Sequence, residues 1–118
     1  LDVWNLKRNL AAKYYNENIS DDFVKPTRSK ECGLHTYHIY PVLVEDGKRD
    51  ELIAHLNNNG VQCGIHYPVP IENTVAYSHL GVMSHNTQEF SKRLVSLPMH
   101  PFLKEEELDI VCETINSF

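Results

Sequence analysis

The chain reads as an α/β domain in an α+β two-layer arrangement: a small sheet of about three to four strands with helices packed on it. Two observations lead there. Helical periodicities and short β-branched runs alternate along the chain, and one small sheet carrying helices satisfies that order. Two apolar runs, residues 61–65 and 94–97, stop abruptly at turns pinned by Pro68 and Pro98, where locked φ angles end a strand sharply. The 118 residues suffice for one domain, 1–118, with a modest core.

Each element has its own signal. Over residues 1–18, Val3, Leu6, Leu10 and Tyr14 recur at helical spacing, and Asn18 ends the helix. Pro26 and Gly33 interrupt the connecting stretch 23–34, with a short strand at Phe23-Val24-Lys25. Residues 35–44, His-Thr-Tyr-His-Ile-Tyr-Pro-Val-Leu-Val, form the clearest strand. Its apolar residues fall on both faces, which predicts cover on both sides. Pro41 cannot donate to a ladder, so one edge there is open or bulged. A turn at Asp46-Gly47 leads into a helix over 48–59 with Leu52, Ile53 and Leu56 as its buried stripe. Gly60 suits the left-handed stop just past its end. Residues 61–65 predict a short strand, and 68–85 are irregular with a turn at Gly81. Asn86, with Glu89 three residues on, resembles a capping box that opens a helix reaching Arg93. Residues 95–97 form a third strand. Leu108, Val111, Cys112 and Ile115 mark the last helix, with Glu105, Glu106 and Glu107 in the first turn, where the helix dipole favours negative charge.

Composition excludes several functions. A net charge of −5 argues against a nucleic-acid module, which needs a basic face. No apolar run approaches the ~20 residues that span a bilayer, so no membrane partner is expected. Three cysteines without paired spacing predict reduced thiols and a cytoplasmic protein. The helical pattern is already running at Leu1-Asp2-Val3-Trp4 with no initiator Met, so the chain is expected to be a piece of a longer protein.

Seven histidines raise the question of a metal. Cys32, His35 and His38 are spaced by three, with His66 on a neighbouring strand, but strand alternation sends His35 and His38 to opposite faces. No second pair of zinc-type spacing follows, so no metal is expected. Neither Cys32 nor Cys63 opens a helix that would lower its pKa, which argues against a Cys–His hydrolase. His66-Tyr67-Pro68 stands apart. An imidazole and a phenol sit side by side at a strand end, on a proline turn that fixes their angles. Two readings are open there. The turn presents both groups to a ligand, or Tyr67 packs beneath the loop while His66 caps a carbonyl.

Several segments in order carry a resemblance. These are the Trp4 to Tyr15 helix with Arg8; His38-Ile39-Tyr40 and its valine strand; Arg49-Asp50-Glu51-Leu52; Gly60-Val61; Gly64-Ile65-His66-Tyr67-Pro68-Val69-Pro70; Ala76-Tyr77 with Leu80-Gly81; and Ser96-Leu97-Pro98-Met99-His100-Pro101. On these the chain resembles the C-terminal small domain of the DegT/StrS-type sugar aminotransferases, pyridoxal-phosphate enzymes of the aspartate-aminotransferase fold. The resemblance implies transfer of an amino group from glutamate to a nucleotide-linked keto sugar, in surface-polysaccharide or antibiotic-sugar assembly, by a homodimer. It also implies that the Schiff-base lysine and the pyridoxal phosphate belong to an N-terminal domain outside this chain. None of Lys7, Lys13, Lys25, Lys30, Lys48, Lys92 or Lys104 sits in the family's lysine motif, so no catalytic residue is expected here and the piece alone is expected to be inactive. The substrate-binding residues it implies are His66, Tyr67, Pro68 and Glu72, with Pro68 also supplying rigidity. Glu72 stands where members often carry a His, and Thr74 stands where they carry an amide. A carboxylate there disfavours a diphosphate unless paired. Two alternatives accompany this reading: a dehydratase relative using the same cofactor, and a non-enzymatic α/β ligand-binding or interaction domain.

Overall fold

The structure is a computed structural model that describes residues 1–21, the main chain of 24–26, and residues 35–118. Among these described residues four helices and three strands follow in order: α1 (Asp2–Asn18), β1 (Val24–Pro26), β2 (Tyr40–Val44), α2 (Arg49–Asn58), α3 (His85–Ser91), β3 (Leu94–Leu97) and α4 (Glu105–Asn116). Two single turns of 3-10 helix, Ile71–Asn73 and Ser78–Leu80, lie between α2 and α3. The strands form one antiparallel sheet in the order β1-β2-β3. The expected α/β class is what is seen.

The core lies on one face of this sheet. Along β2 the buried residues are Tyr40, Val42 and Val44, alternating as a half-covered strand does, and Val95 and Leu97 join them from β3. Against this face pack Ala11, Ala12 and Tyr15 of α1, Leu52 and Leu56 of α2, and Leu108, Val111, Cys112 and Ile115 of α4. Gly60 closes α2 at φ 79, with its N–H on the Asn57 carbonyl and that of Val61 on Leu56.

Four expectations change. The strand over 35–44 shrinks to Tyr40–Val44. Tyr37 takes φ 44, which a strand cannot hold, and α1 claims the preceding carbonyls: Arg8 donates to Thr36 O at 2.8 Å and Asn9 to His35 O at 2.7 Å. The strand over 61–65 reduces to one bridge, Gly64 with Ser96. Val61 is still tied to the end of α2, and Tyr67 at φ 63 turns the chain away just beyond. Ser84, not Asn86, caps α3: its Oγ accepts from Thr87 N–H, while Glu89 is taken by Arg93 at 2.8 Å. On α1 the stripe of Val3, Leu6 and Leu10 faces outward, and the core takes the alanine face, whose small side chains allow close approach. Of the expected strand at Phe23-Val24-Lys25, Phe23 lies outside the described residues and the rest is β1.

Pro41 sits in the central strand at no cost to its pairing with β3. Val44 donates to Arg93 O, so alternate residues of β2 donate toward β3 and Pro41 faces the other edge. There the described register with β1 ends at Pro26↔Val42.

Helices α1 and α4 are joined by the Tyr14 hydroxyl, which donates to Asp109. That bond, with burial and the carboxylate charge behind it, pushes the phenol up to about 12 from 10.0. Burial pushes the Cys112 thiol from 9.0 to about 11. In both cases the folded chain keeps a proton that the unfolded chain releases. Stability is therefore expected to be intact below the unfolded values and to fall as pH rises through these windows, ending near pH 12. Urea midpoints measured across this range test it; Tyr14→Phe is expected to blunt the decline.

Candidate functional site

The second face of the sheet carries the residues of β2 that point away from the helices, among them Pro41, together with Leu94 of β3. Over it lie α3 and the loop that starts at Gly64. Between sheet and loop is a cavity of about 600 Å³, walled mostly by Ile39, Pro41, Val69, Ile71, Phe90 and Leu94. His66 and Tyr67 stand at its border, and Thr74 also lines it.

Neither ring of the turn is packed away in this chain. Tyr67 is 74% exposed, so it does not pack beneath the loop. Its backbone is left-handed at φ 63, an arrangement that costs a side-chain-bearing residue on the order of 1–3 kcal/mol. Among the described residues neither its hydroxyl nor the imidazole of His66 has a hydrogen-bond partner, so His66 does not cap a carbonyl. The imidazole folds back over Gly64: a Cβ added at Gly64 would lie 3.2 Å from its Cε1. Two polar rings are thus displayed together, one on strained backbone and the other over a glycine. Pro68 is exposed, and Pro70 is buried beneath the loop.

Glu72 is half-buried and points at the start of α3. It accepts from Ser84 N–H at 3.3 Å and from the Gln88 amide at 3.5 Å. Thr74 turns its hydroxyl to Ile71 O at 2.7 Å. Gly64, Asn73, Gln88 and Phe90 were not legible as site residues. The one signal available was a glycine two positions before the histidine.

Burial pushes the thiols of Cys63 and Cys112 up, so neither is an activated nucleophile. Among the described residues no three His, Cys, Asp or Glu side chains are placed to hold a metal, and Cys32 lies outside them. The ring of His35 instead lies 4.2 Å from that of Tyr37. No helix among the described residues is long and apolar enough to cross a membrane. A second groove of about 560 Å³ runs between α1 and residues 101–105 and includes none of the expected site residues.

The sequence profile of the DegT/DnrJ/EryC1/StrS aminotransferase family matches residues 1–116. The chain belongs to this family. Along its whole length it is 30% identical to the dTDP-3-amino-3,6-dideoxy-alpha-D-galactopyranose transaminase of Aneurinibacillus thermoaerophilus, of which it covers 32%. It superposes with a TM-score of 0.86 on a DegT/DnrJ/EryC1/StrS aminotransferase from Brucella abortus, at 30% identity over 98% of this chain and 31% of that one. The PLP form of Spr1654, a putative sugar aminotransferase from Streptococcus pneumoniae, matches with a TM-score of 0.80 and 25% identity over 97% of this chain and 31% of that one. The chain therefore spans about a third of the length of the relatives it matches. Spr1654, as its PLP form shows, takes pyridoxal phosphate. Among the described residues no lysine lines the cavity to form a Schiff base and no lysine or arginine faces it to hold a phosphate, so this lining does not fit that cofactor.

Proposed function

We propose that this chain is the C-terminal small domain of a sugar aminotransferase, the wall that closes over the sugar. The whole protein moves an amino group from glutamate to a nucleotide-linked keto sugar. Pyridoxal phosphate, which supplies the amino-transfer chemistry, is held with its lysine by the part of the protein that precedes this domain. The 118 residues alone are then inactive, and the complete protein works in the cytoplasm as a homodimer.

The observation that carries this reading is the display of His66 and Tyr67. Two uncommitted hydrogen-bonding rings, held on proline-locked and left-handed backbone, are suited to orient hydroxyl or phosphate oxygens of a substrate. The family match supplies the reaction class. Among the described residues the cavity beside them is lined mostly by apolar groups and by no lysine or arginine for a diphosphate, so charged substrate groups belong on the open side of the turn.

The test is optical. Full-length protein with pyridoxal phosphate is expected to show the visible band of the bound cofactor. Glutamate is expected to bleach it, and a nucleotide-linked keto sugar to restore it. This chain by itself is expected to give no band. A full-length protein whose band ignores both glutamate and keto sugar overturns the proposal.

A further inference from the structure

We propose that Gln88 is a positioning residue that rivets the His66–Tyr67 turn to α3; the inference rests on reading that turn as the sugar-contacting element.

The loop carrying the two rings is fastened at both ends. At its start, Gly64 and Ser96 exchange main-chain hydrogen bonds of 3.0 and 2.7 Å, which no side chain can alter directly. At its far end the 3-10 turn Ile71–Asn73 is fastened by side chains. Asn73 and Gln88 exchange amide hydrogen bonds in both directions, at 2.9 and 3.0 Å. Glu72 lies beside this pair, 3.5 Å from the Gln88 amide nitrogen, and also accepts from Ser84 N–H. Its carboxylate decides which way the pair is oriented. A carboxylate repels the amide oxygen and attracts the NH2, so Gln88 turns its donor toward Glu72 and Asn73 must complement it.

Both sides of this rivet are stiff. Ser91 Oγ donates to the Gln88 carbonyl, Arg49 reaches Ser91 O at 3.3 Å, and Arg93 ties the end of α3 to Val44 O at 2.8 Å. Gln88 is therefore fixed to the sheet. On the loop side, Asn73 N–H donates to the Pro70 carbonyl at 2.9 Å. Between Pro70 and Tyr67 lie only Pro68 and Val69, and of the φ angles of Pro68, Val69 and Pro70 two are locked. A displacement of Asn73 is thus passed to Tyr67 instead of being absorbed. Glu72 braces this end of the loop from behind, through α3.

The experiment uses the full-length protein with fluorotyrosine at position 67, read by 19F NMR, together with the kinetics of the sugar half-reaction. Gln88→Ala is expected to shift and broaden the Tyr67 resonance. It is also expected to lower kcat/KM for the keto sugar about three- to tenfold, the size of one lost exposed clasp. Asn73→Ala, on an exposed turn, is expected to do the same. The exchanged pair, Asn73→Gln with Gln88→Asn, keeps the combined length and is expected to restore both readouts. A Tyr67 resonance unmoved in both alanine variants overturns the proposal, and so does failure of the exchanged pair to rescue. If the resonance moves and is rescued while the protein turns over no sugar, the rivet stands and the sugar-contact reading falls.

Discussion

Replacing Tyr15 with alanine is expected to remove a large part of this chain's stability. The ring is wholly buried, its hydroxyl donates to Pro98 O at 2.9 Å, and its centroid lies 4.9 Å from that of Tyr40. Tyr40 in turn donates to Asn16 Oδ1 at 2.7 Å, so the two phenols tie α1 to the sheet and to the turn after β3. Truncating a buried aromatic ring costs about 3–5 kcal/mol. The Pro98 carbonyl, left without its donor, adds on the order of 1–3 kcal/mol. Set against the ~5–15 kcal/mol that hold a small domain together, this is a large share of the whole. Tyr15→Phe keeps the ring and surrenders only the hydrogen bond, so it is expected to cost about 1–2 kcal/mol. Urea unfolding of the three proteins separates the terms. Equal midpoints for Tyr15→Ala and Tyr15→Phe would show that the ring is no anchor.

Helices with their own stop signals were the most legible part of the sequence. The stripe of α4 and the Leu52/Leu56 pair of α2, ended by Gly60, appear where the periodicity put them. Periodicity failed where main-chain geometry or a distant partner decides. His35 to Ile39 read as strand because their side chains suit one, yet a left-handed Tyr37 and two side chains from α1 hold them out of the sheet. On α1, hydropathy pointed to Val3, Leu6 and Leu10, whereas packing chose Ala11 and Ala12, since what mattered was how closely the helix could approach. The turn at His66 and Tyr67 was legible because two prolines and two polar rings are local in sequence. Its anchorage was not. Gln88 follows Asn73 by fifteen residues, and nothing in either residue type announces a paired amide. Glu72 read as a group facing substrate, while its carboxylate is placed against Ser84 and Gln88.

If the turn orients the sugar, loss of its two rings is expected to give the largest functional effect in the domain. In the full-length protein, His66→Ala and Tyr67→Phe are each expected to lower sugar turnover about tenfold, the worth of one hydrogen bond made in place. Together they are expected to lower it about a hundredfold if they act independently. The visible band of the cofactor should be unchanged in all of them. Gly64→Ala tests placement and leaves the chemistry intact: the new methyl would sit 3.2 Å from His66 Cε1 and push the imidazole by a few tenths of an ångström. It is expected to lose about fivefold, since misplacement is costly where orientation is the contribution. Tyr67→Gly separates function from strain. Glycine adopts φ 63 without penalty, so this variant is expected to gain up to about 1 kcal/mol in stability while losing turnover as Tyr67→Phe does. A strained residue whose relief stabilises the fold and harms the reaction is held there for the ligand. Were Tyr67→Gly to destabilise the domain, or were turnover to survive both single variants, the turn would be a feature of folding alone.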